Sequence, residues 1–221
     1  MKISHRLQKI DSFIVNHYEH IWDCCCDHGF LGLHLLERQA ADTLHFIDTV
    51  EHILLNLKSQ LEKRQAPLQS KWQTQCLDAA KLDLCPTGRS SNKPQLIIIA
   101  GVGGELTISL VTDLLKSHPD LNLEFLLCPV HHNYKVRQAL IELELGLIDE
   151  CLLQENKRFY EVIHVSRQAK KPISKVGSIM WDLSRAMDSA YLNATIGHYQ
   201  RMGKKNGEVK DIIEDYQALL G

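Results

Sequence analysis

Three acids fall at or just past the ends of three successive strand-like runs, the third of them the weakest. Asp23-Cys24-Cys25-Cys26-Asp27-His28-Gly29 closes the first, Asp48-Thr49 the second, and Asp78-Ala79 follows the third. Further on, Ala100-Gly101-Val102-Gly103-Gly104 follows Leu96-Ile97-Ile98-Ile99, and Arg158-Phe159-Tyr160-Glu161 opens a late apolar stretch. Carboxylates at such positions can hold ribose hydroxyls, an amino group or a cation. They cannot cradle phosphate. A pyrophosphate needs a G-x-G-x-x-G turn so that bare backbone can approach it. Here the first turn offers only Gly29 and Gly32, and Asp27 would repel phosphates.

These residues need elements to position them. Ile3, Leu7, Ile10 and Ile14 recur at helical spacing, predicting an amphipathic helix over residues 2–17. Strands are expected at 20–24, 43–48, 71–76, 95–100 and 122–128. Helices are expected at 29–40, 50–64, from Gly104 to Lys116, and at 134–145. Strand–helix repetition with buried β-branched runs predicts an α/β fold, an open and mostly parallel Rossmann-like sheet with helices on both faces. Residues 146–154 and 158–165 read as a closing hairpin. Beyond it lies a basic, acid-free linker, then two helices over about 179–200 and 208–220. The expected division is one α/β domain over residues 1–166 and a linker with a helical, coiled-coil-like appendage over 167–221.

Composition narrows the class. The 221 residues are 44% hydrophobic and 24% charged, which suits a globular core and excludes disorder. No apolar run approaches the ~20 residues of a membrane span. No secretory signal is read at the start, and the odd count of seven cysteines shows no paired metal or redox spacing. A reducing, cytoplasmic home with free thiols is expected. Residues 1–156 carry 14 basic and 20 acidic side chains, against 11 and 7 in residues 157–221. An acidic front with a basic tail suggests that Lys157, Arg158, Arg167, Lys170, Lys171 and the Arg201, Lys204, Lys205 cluster meet a polyanion. A solvated surface explains the same counts.

In this sheet the ligand site lies beyond the carboxyl ends of the strands. S-adenosylmethionine carries a sulfonium and an adenosine but no phosphate, and tolerates carboxylates there. Asp48 could accept both ribose hydroxyls, Asp78-Ala79 could hold the adenine amino group, and the closing hairpin is the antiparallel element of methyltransferase sheets. A nicotinamide dehydrogenase is disfavoured. Neighbouring residues of Cys24-Cys25-Cys26 point to opposite faces and cannot chelate jointly, while Cys128, His131 and His132 read as a loop with solvent-facing imidazoles, so no metal is expected.

Four strings occur in order over about residues 3–165: Ile3-Ser4-His5-Arg6-Leu7, Asp23-x-x-x-Asp27-His28-Gly29-Phe30-Leu31, Ile98-Ile99-Ala100-Gly101-Val102-Gly103-Gly104 and Arg158-Phe159-Tyr160-Glu161. Together they resemble the bacterial TrmK family. The resemblance implies an S-adenosylmethionine-dependent methyltransferase fold and transfer to N1 of adenine 22 in tRNA, with no DNA or membrane partner and a monomer slightly favoured. The chain departs from the family pattern at Cys25, where members carry Gly, at Val130, where they carry Asn, at Asp48 for Glu and at His5 for Lys.

Adenine N1 has a free lone pair, so the reaction asks for positioning and for a carboxylate near the new cation. Asp27 is the candidate, with His28 orienting it; a plain helix-capping role is the alternative for Asp27. Tyr160 is the candidate for stacking on an extruded base. One of Phe159 and Tyr160 is expected in the core, since they alternate on a strand. The cofactor set is Arg6, Asp23, Cys24, Cys25, Asp48, Thr49, Asp78, Ala79, Ala100, Gly101, Val102 and Gly103. Arg6 would pair with the cofactor carboxylate, and the side chain of Cys25 would crowd the ligand. A different RNA, a small-molecule acceptor, or a non-catalytic module with a decayed cofactor loop are the alternatives.

Overall fold

The computed structural model describes residues 3–63, 70–84, 93–203 and 209–220. Parallel runs such as Gln95–Ala100 are apolar at nearly every position, which suits strands covered on both faces. Five parallel strands, β1 (Tyr18–Cys24), β2 (Ala41–Asp48), β3 (Lys71–Cys76), β4 (Gln95–Ala100) and β5 (Leu123–Cys128), alternate with helices, and only the edge strand β3 is mostly polar. The helices are α1 (His5–Ser12), α2 (Phe30–Glu37), α3 (Glu51–Glu62), α4 (Gly104–Ser117) and α5 (Asn133–Glu142). Strands β6 (Gly146–Glu155) and β7 (Arg158–Ser166) then form a hairpin, and α6 (Ala186–Gly203) and α7 (Lys210–Gln217) follow. The sheet order is β3-β2-β1-β4-β5-β7-β6, with β7 antiparallel to its neighbours. The strand order reverses between β1 and β4, so the carboxyl ends of those two strands flank the switch point.

One apolar cluster on each face of the sheet makes the core. The first gathers Trp22, Ile47, Ile97, Ile99, Val111 and Phe125; the second gathers Ile21, Phe46, Leu96, Ile98, Leu35 and Leu57. Gly32 lets α2 close on the sheet, since a Cβ there would stand 2.4 Å from the Phe46 ring. The hairpin turn is Asn156-Lys157, both with positive φ, as a two-residue turn matched to strand twist requires. The first helix is shorter than its apolar periodicity suggests: Ser4 caps it and it stops at Ser12, leaving Ile14 buried outside it. The sixth helix likewise starts only at Ala186. Residues before it are irregular because their polar groups serve buried partners.

The segment read as a linker is fastened to the sheet. Leu147 donates its N–H to the Lys171 carbonyl at 2.7 Å, and Ile173 and Val176 are buried. Arg137, fully buried, pairs with Glu150 at 2.6 Å and Glu161 at 2.7 Å and also donates to the Ser174 carbonyl. A third small cluster joins Tyr134 of α5 to Leu192, Ile196 and Tyr216 of the terminal helices. No helix among the described residues is long and apolar enough to cross a membrane.

Candidate active site

Parallel register brings the sequence-predicted residues to one edge. Cys24 lies beside Ile47 and Ile99, Asp48 beside Cys76, and Ala100 beside Cys128, so the turns after β1, β2, β3 and β4 open side by side. Asp23 is buried and accepts the Gly32 N–H at 3.1 Å. Burial pushes its carboxyl up to about 7, the Gly32 hydrogen bond opposes this, and Asp48 adds to it. Asp48 organises the edge through both oxygens, accepting from Asp27 N–H and Val50 N–H, each at 3.0 Å. Thr49 is exposed beside it and its carbonyl accepts from the Cys76 thiol. Asp78 caps the short turn of Ala79 and Ala80, with Ala79 buried beneath.

Cys25 sits among these acids. Burial first, then Asp48, Asp23 and Asp78, push its thiol up to about 11, so it stays protonated near neutrality. Its φ is +57°, a left-handed conformation that favours glycine. Its half-buried side chain packs on the core cluster that contains Cys24 and Ile99.

Across the switch point, Gly101 has φ +91° and lies against Arg6: a Cβ there would be 3.6 Å from the Arg6 guanidinium. That guanidinium also stands 5.0 Å from the centre of the Tyr160 ring. Arg6 is anchored from behind by its backbone N–H, which donates to Glu155 at 2.9 Å, and its buried Nε has no partner among the described residues. Gly103 is bare because the His131 ring occupies the space, 2.7 Å from where a Cβ would be.

The three catalytic candidates do not share one wall. Asp27, with φ +50°, and His28 form an exposed pair at 2.8 Å, with His28 stacked on Phe30 and facing α3. Asp27 does not cap α2; that position belongs to Gly29. Tyr160 instead lines a cavity of about 420 Å³ beside the switch point. Phe159 lines it too, and both rings are half-buried, so neither is simply core. The cavity runs from the β5–α5 loop, residues 130–133, to α6 and Tyr216. Cys128 is buried away from His131 and His132, which instead turn to Glu105, with one potential ligand atom from each of the three lying within 4.8 Å. Sequence reasoning missed Glu155, Glu105 and Asn133. Glu155 meets Arg6 across 149 residues, and no local pattern signals such a pairing.

The carboxylate-rich edge lacks a phosphate cradle and has a cation-tolerant turn at its centre. A family model described as a methyltransferase domain matches residues 3–163. The chain belongs to this methyltransferase family. No curated protein matches it. Among solved structures, Streptococcus pneumoniae Sp1610 in complex with S-adenosyl-L-methionine is 20% identical, with TM-score 0.80 and full coverage of both chains. The Bacillus subtilis m1A22 tRNA methyltransferase TrmK is 22% identical, with TM-score 0.77, covering 100% of this chain and 99% of its own. Mycoplasma capricolum TrmK with S-adenosyl-homocysteine is 16% identical, with TM-score 0.79, covering 99% and 98%. In this methyltransferase the family match ends within β7, so the α6 and α7 walls of the cavity lie beyond it.

Proposed function

We propose that the chain is an S-adenosylmethionine-dependent methyltransferase acting on N1 of an adenine in tRNA, adenine 22 by resemblance to the TrmK relatives. One observation carries the cofactor assignment: Asp23, Asp48 and Asp78 converge on the Cys25 turn. Three acids there suit a cationic, phosphate-free donor and oppose a dinucleotide. The Arg6 guanidinium beside bare Gly101 suits a carboxylate at the other end of the site. S-adenosylmethionine supplies an electrophilic methyl group when bound. Asp48 and Asp78 would hold its hydroxyl and amino groups, Arg6 its carboxylate, and the Gly101–Gly103 backbone leaves room for close approach.

The residues around the acceptor then have little proton chemistry to perform. Adenine N1 is unprotonated at neutral pH, so alignment and stabilisation of the developing cation supply the acceleration. Tyr160 would stack on the base, and Asp27, whose N–H donates to Asp48 and whose carboxylate pairs with His28, is the exposed carboxylate of the β1 turn. An RNA substrate implies a cytoplasmic site of action. Calorimetry with S-adenosylmethionine tests the cofactor, and mass mapping of tRNA incubated with protein and cofactor tests the acceptor. Absence of heat at millimolar ligand removes the first assignment; methylation at no adenine removes the second.

A further inference from the structure

Two adjacent histidines cannot share a ligand from an extended strand, because neighbouring side chains leave it on opposite faces. After β5 the chain is not extended. His132 sits at φ +63° and ψ 34°, a left-handed conformation that a residue with a Cβ adopts at a cost. That turn brings its ring beside His131, and the two ring centres stand 4.3 Å apart. Both rings present Nδ1 to one carboxylate, that of Glu105 in the first turn of α4. His131 lies 3.9 Å from one oxygen and His132 2.5 Å from the other.

The backbone beneath the rings keeps them there. The Val130 N–H donates to the Val102 carbonyl at 2.9 Å, which pins the β5–α5 loop to the turn after β4. A Cβ at Gly103 would fall 2.7 Å from the His131 ring, and one at Gly104 would fall 2.9 Å from the His132 Cβ. Bare backbone at these two positions gives both histidines their room. One potential ligand atom from each of Glu105, His131 and His132 lies within 4.8 Å of the others. Tetrahedral bonds of about 2.0–2.1 Å set ligand atoms about 3.3 Å apart, so small rotations of three exposed side chains close the gap. We propose that Glu105, His131 and His132 form a binding site for an imidazole-preferring divalent cation, zinc first among them, with the remaining position left to water.

The donor set chooses the ion. Two imidazoles with one carboxylate suit zinc, nickel or copper. Magnesium and calcium ask for mostly oxygen ligands, and one side chain of the three offers them. Helices α4 and α5 begin beside the site, at Gly104 and Asn133, and their positive ends oppose any cation. At an exposed site each costs at most about fivefold in affinity, which weighs most on an ion held by a lone carboxylate. His131 and His132 also line the cavity beside Tyr160, so the ion would stand in that wall and tie α4 to α5 there. The site holds whether or not the acceptor is tRNA.

The test uses full-length protein stripped of metal with a chelator, and zinc, cobalt and magnesium salts as the only probes. Wild type should take up one zinc ion in competition with a chromophoric chelator, and zinc should raise its Tm. His132→Gly removes one ligand and relieves the left-handed strain. Its metal-free Tm should equal or exceed that of wild type, while zinc affinity falls at least about tenfold. Glu105→Gln, which keeps the shape of the side chain, should lose about as much. Cysteine offers the competing explanation, since Cys76 is exposed. Cobalt separates the two: thiolate ligands give an intense near-ultraviolet band, and imidazole with carboxylate does not. No zinc uptake, uptake that both variants retain, a thiolate band at the first equivalent of cobalt, or displacement of zinc by about a hundredfold excess of magnesium overturns the proposal.

Discussion

Arg6 and Tyr160, which lie 154 residues apart in the chain, meet with the guanidinium 5.0 Å from the centre of the phenol ring. The contact joins the two halves of the site, because Arg6 also borders Gly101 and Tyr160 also lines the cavity. The first prediction follows. Arg6→Ala should weaken S-adenosylmethionine binding at least tenfold, since a charge-assisted carboxylate contact is lost. Arg6→Lys should recover little, because a lysine cannot present a planar fork. Tyr160→Phe should keep cofactor affinity within about threefold, the cation–ring attraction of roughly 1 kcal/mol being retained. Calorimetry on the three variants checks this; a fully competent Arg6→Lys would refute the fork geometry.

Asp23 makes the second prediction. Its carboxyl titrates at about 7 because burial penalises the charge. A cationic ligand at the β1 turn binds the ionised form better, so affinity should rise by up to about tenfold between pH 6 and pH 8 and binding should release a proton near pH 7. Stability runs the other way. A folded-state pKa above the unfolded one gives stability that is full below about pH 4 and lost as pH rises through about 7. The cost when ionised is roughly 4 kcal/mol. Asp23→Asn should accordingly raise Tm at pH 8 and change it little at pH 4.5, while removing the pH dependence of binding. Melting curves and calorimetry in buffers of different ionisation heat give both signs.

Cys25 is the third. A non-glycine residue at φ +57° carries about 1–2 kcal/mol of backbone strain. Cys25→Gly relieves the strain but loses part of a half-buried side chain's packing. Tm should therefore change by less than about 3 °C. Cofactor affinity should hold within about threefold if the core contacts of the half-buried thiol set its position. A tenfold gain in affinity would show that the sulfur does obstruct the site.

The order of elements and the ligand edge were legible because β1, β2 and β4 each end where an apolar run meets an acid or a glycine. Asp23, Asp48 and Gly101 announce themselves locally, and parallel register does the rest. What was not legible is long-range. Nothing near Asn133 in the sequence says that its amide will meet Tyr191 and, through it, Glu161 and Arg137, and nothing near Arg6 announces Glu155. Charge counts likewise carry no edge. Strand β7 runs antiparallel, so Lys157 and Arg158 lie at the ligand edge, while Arg167 and the Leu147-paired Lys171 lie at the opposite one.

That separation is the fourth prediction. The two edges are about 20 Å apart, the length of a six-residue strand. Lys204 and Lys205 lie outside the described residues. An RNA bound at the ligand edge should therefore feel Lys157 and Arg158 and not Lys170 or Lys171. Lys157→Ala with Arg158→Ala should weaken tRNA binding several-fold and lower the salt slope by up to about two, each phosphate contact contributing about one. Lys170→Ala with Lys171→Ala should leave both unchanged. Filter binding across a salt series decides it, and the reverse pattern would move the RNA to the other edge.

Arg137 carries the last. It is fully buried with Glu150 and Glu161, and Glu150 further accepts from the N–H groups of Ser178 and Ile179, so one guanidinium ties α5, β6, β7 and the segment before α6 together. Arg137→Met keeps the volume but leaves two buried carboxylates uncompensated, at a cost of about 3–5 kcal/mol. In a chain of this size that lowers Tm by roughly 6–20 °C. The loss should shrink as pH falls towards 5, because unpaired buried carboxylates take up protons more readily than the arginine-held pair, whose attraction keeps Glu150 below its ordinary range. The triple variant Arg137→Met, Glu150→Gln, Glu161→Gln should regain most of the stability at neutral pH.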